Sequence, residues 1–141
     1  MEPLDLRHAP PRSPRAQLSG LVFTARVVDK LRASLPGGEL NGYFPDTGMS
    51  AVWSHYSGIP IDDLRAVVES AADEAEVEAW IAQRTANVDK PRFNAKLESF
   101  EVARIPEAWR DVFNGAYPPE LRAAHRFIFD LLEADDLRAN R

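Results

Sequence analysis

Eleven prolines and seven glycines punctuate this 141-residue chain, and between the breaks apolar residues recur at steps of three and four. That spacing places them on one side of a helix, whereas a strand would alternate them. Val27, Val28, Leu31 and Leu35 form one such stripe, stopped by Pro36-Gly37-Gly38, with Arg26 and Lys30 expected on the opposite, solvated side. Leu64, Val67, Val68 and Ala71 follow Pro60 and the acidic turn Asp62-Asp63, which suits the positive end of a helix dipole. Val77, Trp80 and Ile81 follow Asp73, which stands three residues before Glu76 as in a capping box. After a break at Pro91 come Phe93, Leu97 and Phe100. Ile105-Pro106 then introduces Trp109, Val112 and Phe113, closed by Asn114-Gly115. A last helix opens at Pro118-Pro119, presents Leu121, Ala124, Ile128 and Leu132, and frays through Asp135-Asp136. With a short helix over about Ser50 to Tyr56, the pattern predicts an all-α, compact single-domain bundle of six to eight short helices over residues 1–141.

The remaining segments read differently. Pro3, Pro10 and Pro11 predict an extended arm over residues 1–12, packed on the body through Leu4 and Leu6. Ser13 has the chemistry of an N-cap and Pro14 suits a first helical position, so a short helix is expected up to Ser19-Gly20. Asn41-Gly42, Pro45 and Gly48 mark a loop, because no alternating apolar runs flank them.

Size and composition narrow the functional classes. A chain of this length closes around one hydrophobic core, and 45% hydrophobic with 28% charged residues is an ordinary globular balance. The absence of cysteine excludes disulfides, thiolate metal sites, iron–sulfur clusters and thiol nucleophiles, and fits a reducing compartment. No run approaches the ~20 apolar residues that span a bilayer, and the first residues are polar and proline-rich, so a cytoplasmic protein without membrane contact is expected. Residues 1–32 carry six basic groups against three acidic ones in a chain of net charge −5. The arm is therefore attracted to an acidic body, and nucleic acid is not an expected partner.

Few residues announce chemistry. His8, His55 and His125 lie too far apart for short metal-ligand spacings, so no metal is expected, and His125 reads as a hydrogen-bonded histidine beside an inward stripe. No phosphate-binding, dinucleotide-binding or nucleophile-elbow motif occurs, and no cofactor is expected. Asp62-Asp63 and Asp135-Asp136 are adjacent pairs at helix ends with ordinary electrostatic explanations. One cluster is sharper: Arg26 and Lys30 are like charges at i,i+4, an unfavourable spacing that an anion or acidic side chains would relieve. With Arg12 and Arg15 they form a candidate anion site, weighed against simple pairing with acids such as Glu69, Glu74 and Glu78. Tyr43, Trp53, His55 and Tyr56 form a candidate aromatic pocket, weighed against plain core packing. The composite expectation is a helical binding or accessory module for a protein or small anionic ligand. The alternative is a small enzyme, or an anion-binding protein, using the aromatic and basic groups. Aromatic surface also leaves room for a homo-oligomer.

The run Asp5-Leu6-Arg7, Pro11-Arg12-Ser13-Pro14-Arg15, Leu18, Gly20-Leu21, Arg26, Asp29-Lys30 and Arg32-Ala33 resembles a bacterial family of domains of unknown function. Fainter similarity continues through Val77 and Trp80, Phe93-Asn94-Ala95 and Phe129-Asp130-Leu131-Leu132. The resemblance implies a bacterial, cytosolic, helical domain and carries over no activity or catalytic residue. The chain departs from the pattern at Ala25, where a proline is expected, and matches poorly from Gly37 to Gly58.

Overall fold

A computed structural model describes residues 1–138. Eight α-helices and one two-stranded hairpin occur among them. The hairpin pairs β1 (Gln17–Leu18) with β2 (Leu21–Val22), and the helices are α1 (Thr24–Ala33), α2 (Met49–Ser57), α3 (Ile61–Ser70), α4 (Glu74–Arg84), α5 (Lys90–Glu98), α6 (Glu107–Ala116), α7 (Pro119–Ala124) and α8 (Ile128–Arg138). A 3-10 turn covers Val102–Arg104. The all-α bundle expected from the periodicity is the architecture found.

The expected helix from Ser13 is replaced by the hairpin. Ser13 does cap, but only a turn: its Oγ accepts from the Arg15 amide at 3.0 Å and its carbonyl from the Ala16 amide at 2.9 Å. Ser19 and Gly20 then both take positive φ, 54° and 76°, the geometry of a two-residue hairpin turn that twists with its strands. Tertiary contacts hold it there. The Asn94 side chain accepts from the Val22 amide and donates to the Gly20 carbonyl, both at 2.9 Å, while Ser19 bonds to Glu78.

Helix α1 is the axis of the core. Nine of its ten residues are buried, so the expected solvated side bearing Arg26 and Lys30 is instead covered. It packs against α3 and β1, α2 against α3 and α5, and α5 against β2. Leu31, Trp53, Leu64, Ile81, Leu97 and Phe129 join one continuous apolar cluster with it. Leu6 of the arm is also buried, its amide donating to the Glu39 carbonyl at 2.9 Å, beside a parallel bridge between Asp5 and Glu39.

Helix ends follow local chemistry, with two shifts. Asp73 caps α4 through the Glu76 amide at 3.1 Å, but the Glu76 carboxylate reaches the Ala72 amide, one residue earlier than a capping box requires. Asp89 caps α5, so Pro91 sits inside the first turn and no break occurs there. The single expected C-terminal helix is two. At His125 the backbone turns extended, and residues 126–128 find partners in 100–102: the Val102 amide donates to the Arg126 carbonyl at 2.8 Å and the Ile128 amide to the Phe100 carbonyl at 2.9 Å. His125 is therefore a half-buried residue ending α7.

Candidate functional site

The path into α1 carries local strain. Phe23, the residue before the helix, is fully buried at φ 68°, a left-handed conformation uncommon for a bulky residue and costing about 1–3 kcal/mol. Its amide donates to the Pro14 carbonyl at 2.8 Å and its ring stacks on Phe129 with centroids 5.8 Å apart. This posture makes Phe23 part of the wall of a cavity of about 270 Å3. Arg26 and Lys30, one and two turns further along α1, line the same cavity.

These two cations are handled differently. Arg26, 2% exposed, donates from both terminal nitrogens to Asp136 of α8 at 2.7 and 2.9 Å, and Asp136 also accepts from the Tyr43 hydroxyl at 2.9 Å. Arg26 Nε is buried with no hydrogen-bond partner among the described residues. Lys30, 6% exposed, donates to Ser50 Oγ at 2.6 Å and lies 5.2 Å from the Phe23 ring centroid. It makes no ion pair within 4.0 Å among the described residues. Burial lowers the Lys30 ammonium to a pKa of about 7, and repulsion from Arg26 adds to this, partly offset by attraction to Asp136 and Asp46.

The rest of the lining is largely apolar and comes from three directions. Met49, Ala51 and Val52 belong to α2, Ile128 and Leu132 to α8, and Ile105, Trp109, Val112, Phe113 and Ala116 to α6 and its approach. Exposure separates wall from rim. Phe23, Ile128 and Leu132 are buried, whereas Phe44, Trp109 and Val112 are exposed at 50%, 40% and 62%. Helix α6 has a sharply one-sided apolar pattern yet contains no buried residue, so its apolar face covers a space instead of filling a core.

In the candidate anion cluster Arg26 donates to the Arg12 carbonyl at 3.3 Å, but the guanidinium groups of Arg12, Arg15 and Arg26 are each taken up by acids. Arg12 bonds Asp29 and Glu74, Arg15 pairs with Asp130 and Glu133, and neither lines the cavity. Burial opposes the charge of Arg12, but its bonds to Asp29 and Glu74 outweigh this and hold it more firmly protonated than usual. Of the candidate pocket aromatics, only Tyr43 lines the cavity. Trp53 is fully buried, its indole donating to Thr24 Oγ1 at 2.8 Å; His55 is exposed with its edge against Tyr56, and Lys96 lies over the Tyr56 ring. The structure thus brings together Arg26, Lys30 and Tyr43, and adds Ser50 and Asp46, which sequence reasoning missed, and Asp135 and Asp136, which it read as a fraying helix end but which lie within α8. Asp135 had a signal: it follows Leu131 by four and Leu132 by three, on the inward stripe. Ser50 had none.

No group of three or more potential metal ligands occurs among the described residues, and no helix among them is long and apolar enough to cross a membrane. The arrangement can sequester an apolar body from water beside the side chains of Lys30, Asp46 and Asp135. No curated protein matches the chain. A family model described as a domain of unknown function, DUF5069, matches residues 8–138, nearly the whole chain and all of the cavity's walls, and the protein belongs to that family.

Proposed function

We propose that this domain binds a small apolar molecule carrying one oxygen acceptor, with the apolar body under α6 and the oxygen at Lys30. The observation that carries the reading is a buried amine on the wall of an otherwise largely apolar cavity. Placing a lysine there costs free energy that an aliphatic side chain would not, and a ligand oxygen offsets part of that cost. The strained Phe23 backbone at the same wall adds support. Because Arg26 is already neutralised by Asp136, the oxygen can belong to a neutral group as well as to an anion. The lack of cysteine supports a reducing compartment, the cytoplasm, as the setting.

Calorimetric titration with n-alkyl alcohols and n-alkyl carboxylates of increasing length tests this. Burial of each added methylene contributes about 0.8 kcal/mol, so affinity rises roughly fourfold per carbon until the cavity is full. Ala116→Trp, which places an indole on the cavity lining, abolishes the trend. Tighter binding of the carboxylates than of the alcohols identifies an anionic ligand, and equal binding a neutral one. Absence of saturable binding at every chain length overturns the reading.

A further inference from the structure

The chemistry available at Lys30 goes beyond accepting a ligand's oxygen. Its Nζ is held by one hydrogen bond, to Ser50 Oγ, and no carboxylate stands within ion-pairing distance among the described residues. Phe23 lies on one side of it, and Arg26, fixed by Asp136, is one turn away on the same helix. Desolvation in an apolar site beside a second cation is the environment that turns a lysine from an ammonium into a nucleophilic amine.

We propose that Lys30 is a nucleophile whose Nζ condenses with the carbonyl group of an apolar aldehyde bound in the cavity, forming an imine. The proposal rests on the cavity-binding reading and adds a covalent step to it. The Nζ lone pair forms the new bond to the carbonyl carbon, and the carbonyl π electrons move to oxygen. As the C–N double bond forms, the C–O bond breaks, and the two amine hydrogens leave with that oxygen as water. No oxidant or reductant takes part. Ser50 Oγ accepts a hydrogen bond from Nζ at 2.6 Å and so orients the amine. Asp135 of α8 also lines the cavity and provides a carboxylate there. The groups that set the protonation of Lys30 are Arg26 on α1, Asp136 on α8 and Asp46 in the loop before α2. Their balance with burial leaves roughly a thousandfold more of this amine neutral at pH 7 than of a lysine in water. The apolar cover of α6 limits the water that hydrolyses an imine.

The test uses the intact protein, hexanal and cyanoborohydride at pH 7, with peptide mapping by mass spectrometry. Hydride reduces any imine to a stable secondary amine, so the expected product carries one hexyl group on Lys30 and resists trypsin after that residue. Lys90 and Lys96 outside the cavity are internal controls and should be labelled at least roughly tenfold more slowly, given the difference in neutral amine. Ala116→Trp should slow labelling of Lys30 and leave the other two lysines unchanged. Equal labelling of all three lysines, or no label on Lys30, overturns the proposal. Calorimetry with hexanal alone separates the two readings. Saturable binding without an adduct on Lys30 removes the imine and keeps the cavity, whereas no binding removes both.

Discussion

Helices α1 and α6 are both ten residues long and both have apolar positions at helical spacing, yet nine residues of α1 are buried and none of α6. The sharper amphipathic pattern belongs to α6, the helix that is less buried. α1 is enclosed by the hairpin, α2, α3 and α8, which force even Arg26, Asp29 and Lys30 out of water. α6 follows a 3-10 turn and lays its apolar face over the cavity, with Trp109 and Val112 left at the rim. One local code therefore serves two ends: α1 holds the fold together, and α6 closes a space whose wall is α1.

The strongest perturbation is expected on the α1 side. Asp136→Ala leaves Arg26 buried without its carboxylate, and removal of one member of a buried pair costs about 3–5 kcal/mol in urea unfolding. Arg26→Met combined with Asp136→Leu should recover most of that loss, because the cost comes from the stranded charge. A nearly neutral Asp136→Ala would break the comparison by showing that α1 is not the rigid member.

An intermediate effect comes from Lys30. Its folded pKa, about 7, lies below the unfolded value, so between these two pH values the unfolded chain binds more protons and stability rises with pH. The penalty of burying the charge is complete below pH 7 and is relieved as pH climbs. From pH 7 to 9 the gain is about 2 kcal/mol. Lys30→Met should lack this gain while keeping the pH dependence of every other group. Parallel stability curves for the two proteins would show that Lys30 stays charged throughout.

The weakest response belongs to α6. Val112→Ala should change stability by less than about 0.5 kcal/mol, since Val112 is mostly exposed. Amide hydrogens of α6 and α7 should exchange before those of α1, measured by native-state hydrogen exchange. Exchange of α1 and α6 in a single cooperative unit would erase the distinction between core and cover.

Much of the helical order is legible in the sequence because caps and punctuation act locally. Asp73, Pro60 and Pro106 mark starts at which α4, α3 and α6 begin, and Pro36-Gly37-Gly38 ends the stripe that α1 carries. The hairpin was hidden because Ser13-Pro14 has the same chemistry in a turn as in a helix start. Asn94, which holds the hairpin, is 72 residues away from its partner Val22. The site was legible only in part. Arg26 and Lys30 stood out by their like charge, but their partners Asp136 and Ser50 are separated from them by 110 and 20 residues. Arg12 and Arg15 looked equally suited to a ligand and are occupied by acids of α1, α4 and α8.

A cysteine-free chain of short helices, with starts set by proline and aspartate and apolar stripes of helical period, follows from the sequence alone. Those properties depend on backbone dihedrals and hydrogen bonds within a few residues, which neighbouring side chains decide. Which stripe becomes core and which becomes cover, and whether a cation is solvated or buried, was decided only by the tertiary structure. Both outcomes depend on which surfaces meet. Lys30 and Lys96 stand in helices of the same period, and burial separates them only once the chain has closed around Lys30 and left Lys96 exposed, because desolvation is set by what packs over a side chain and not by its neighbours in sequence.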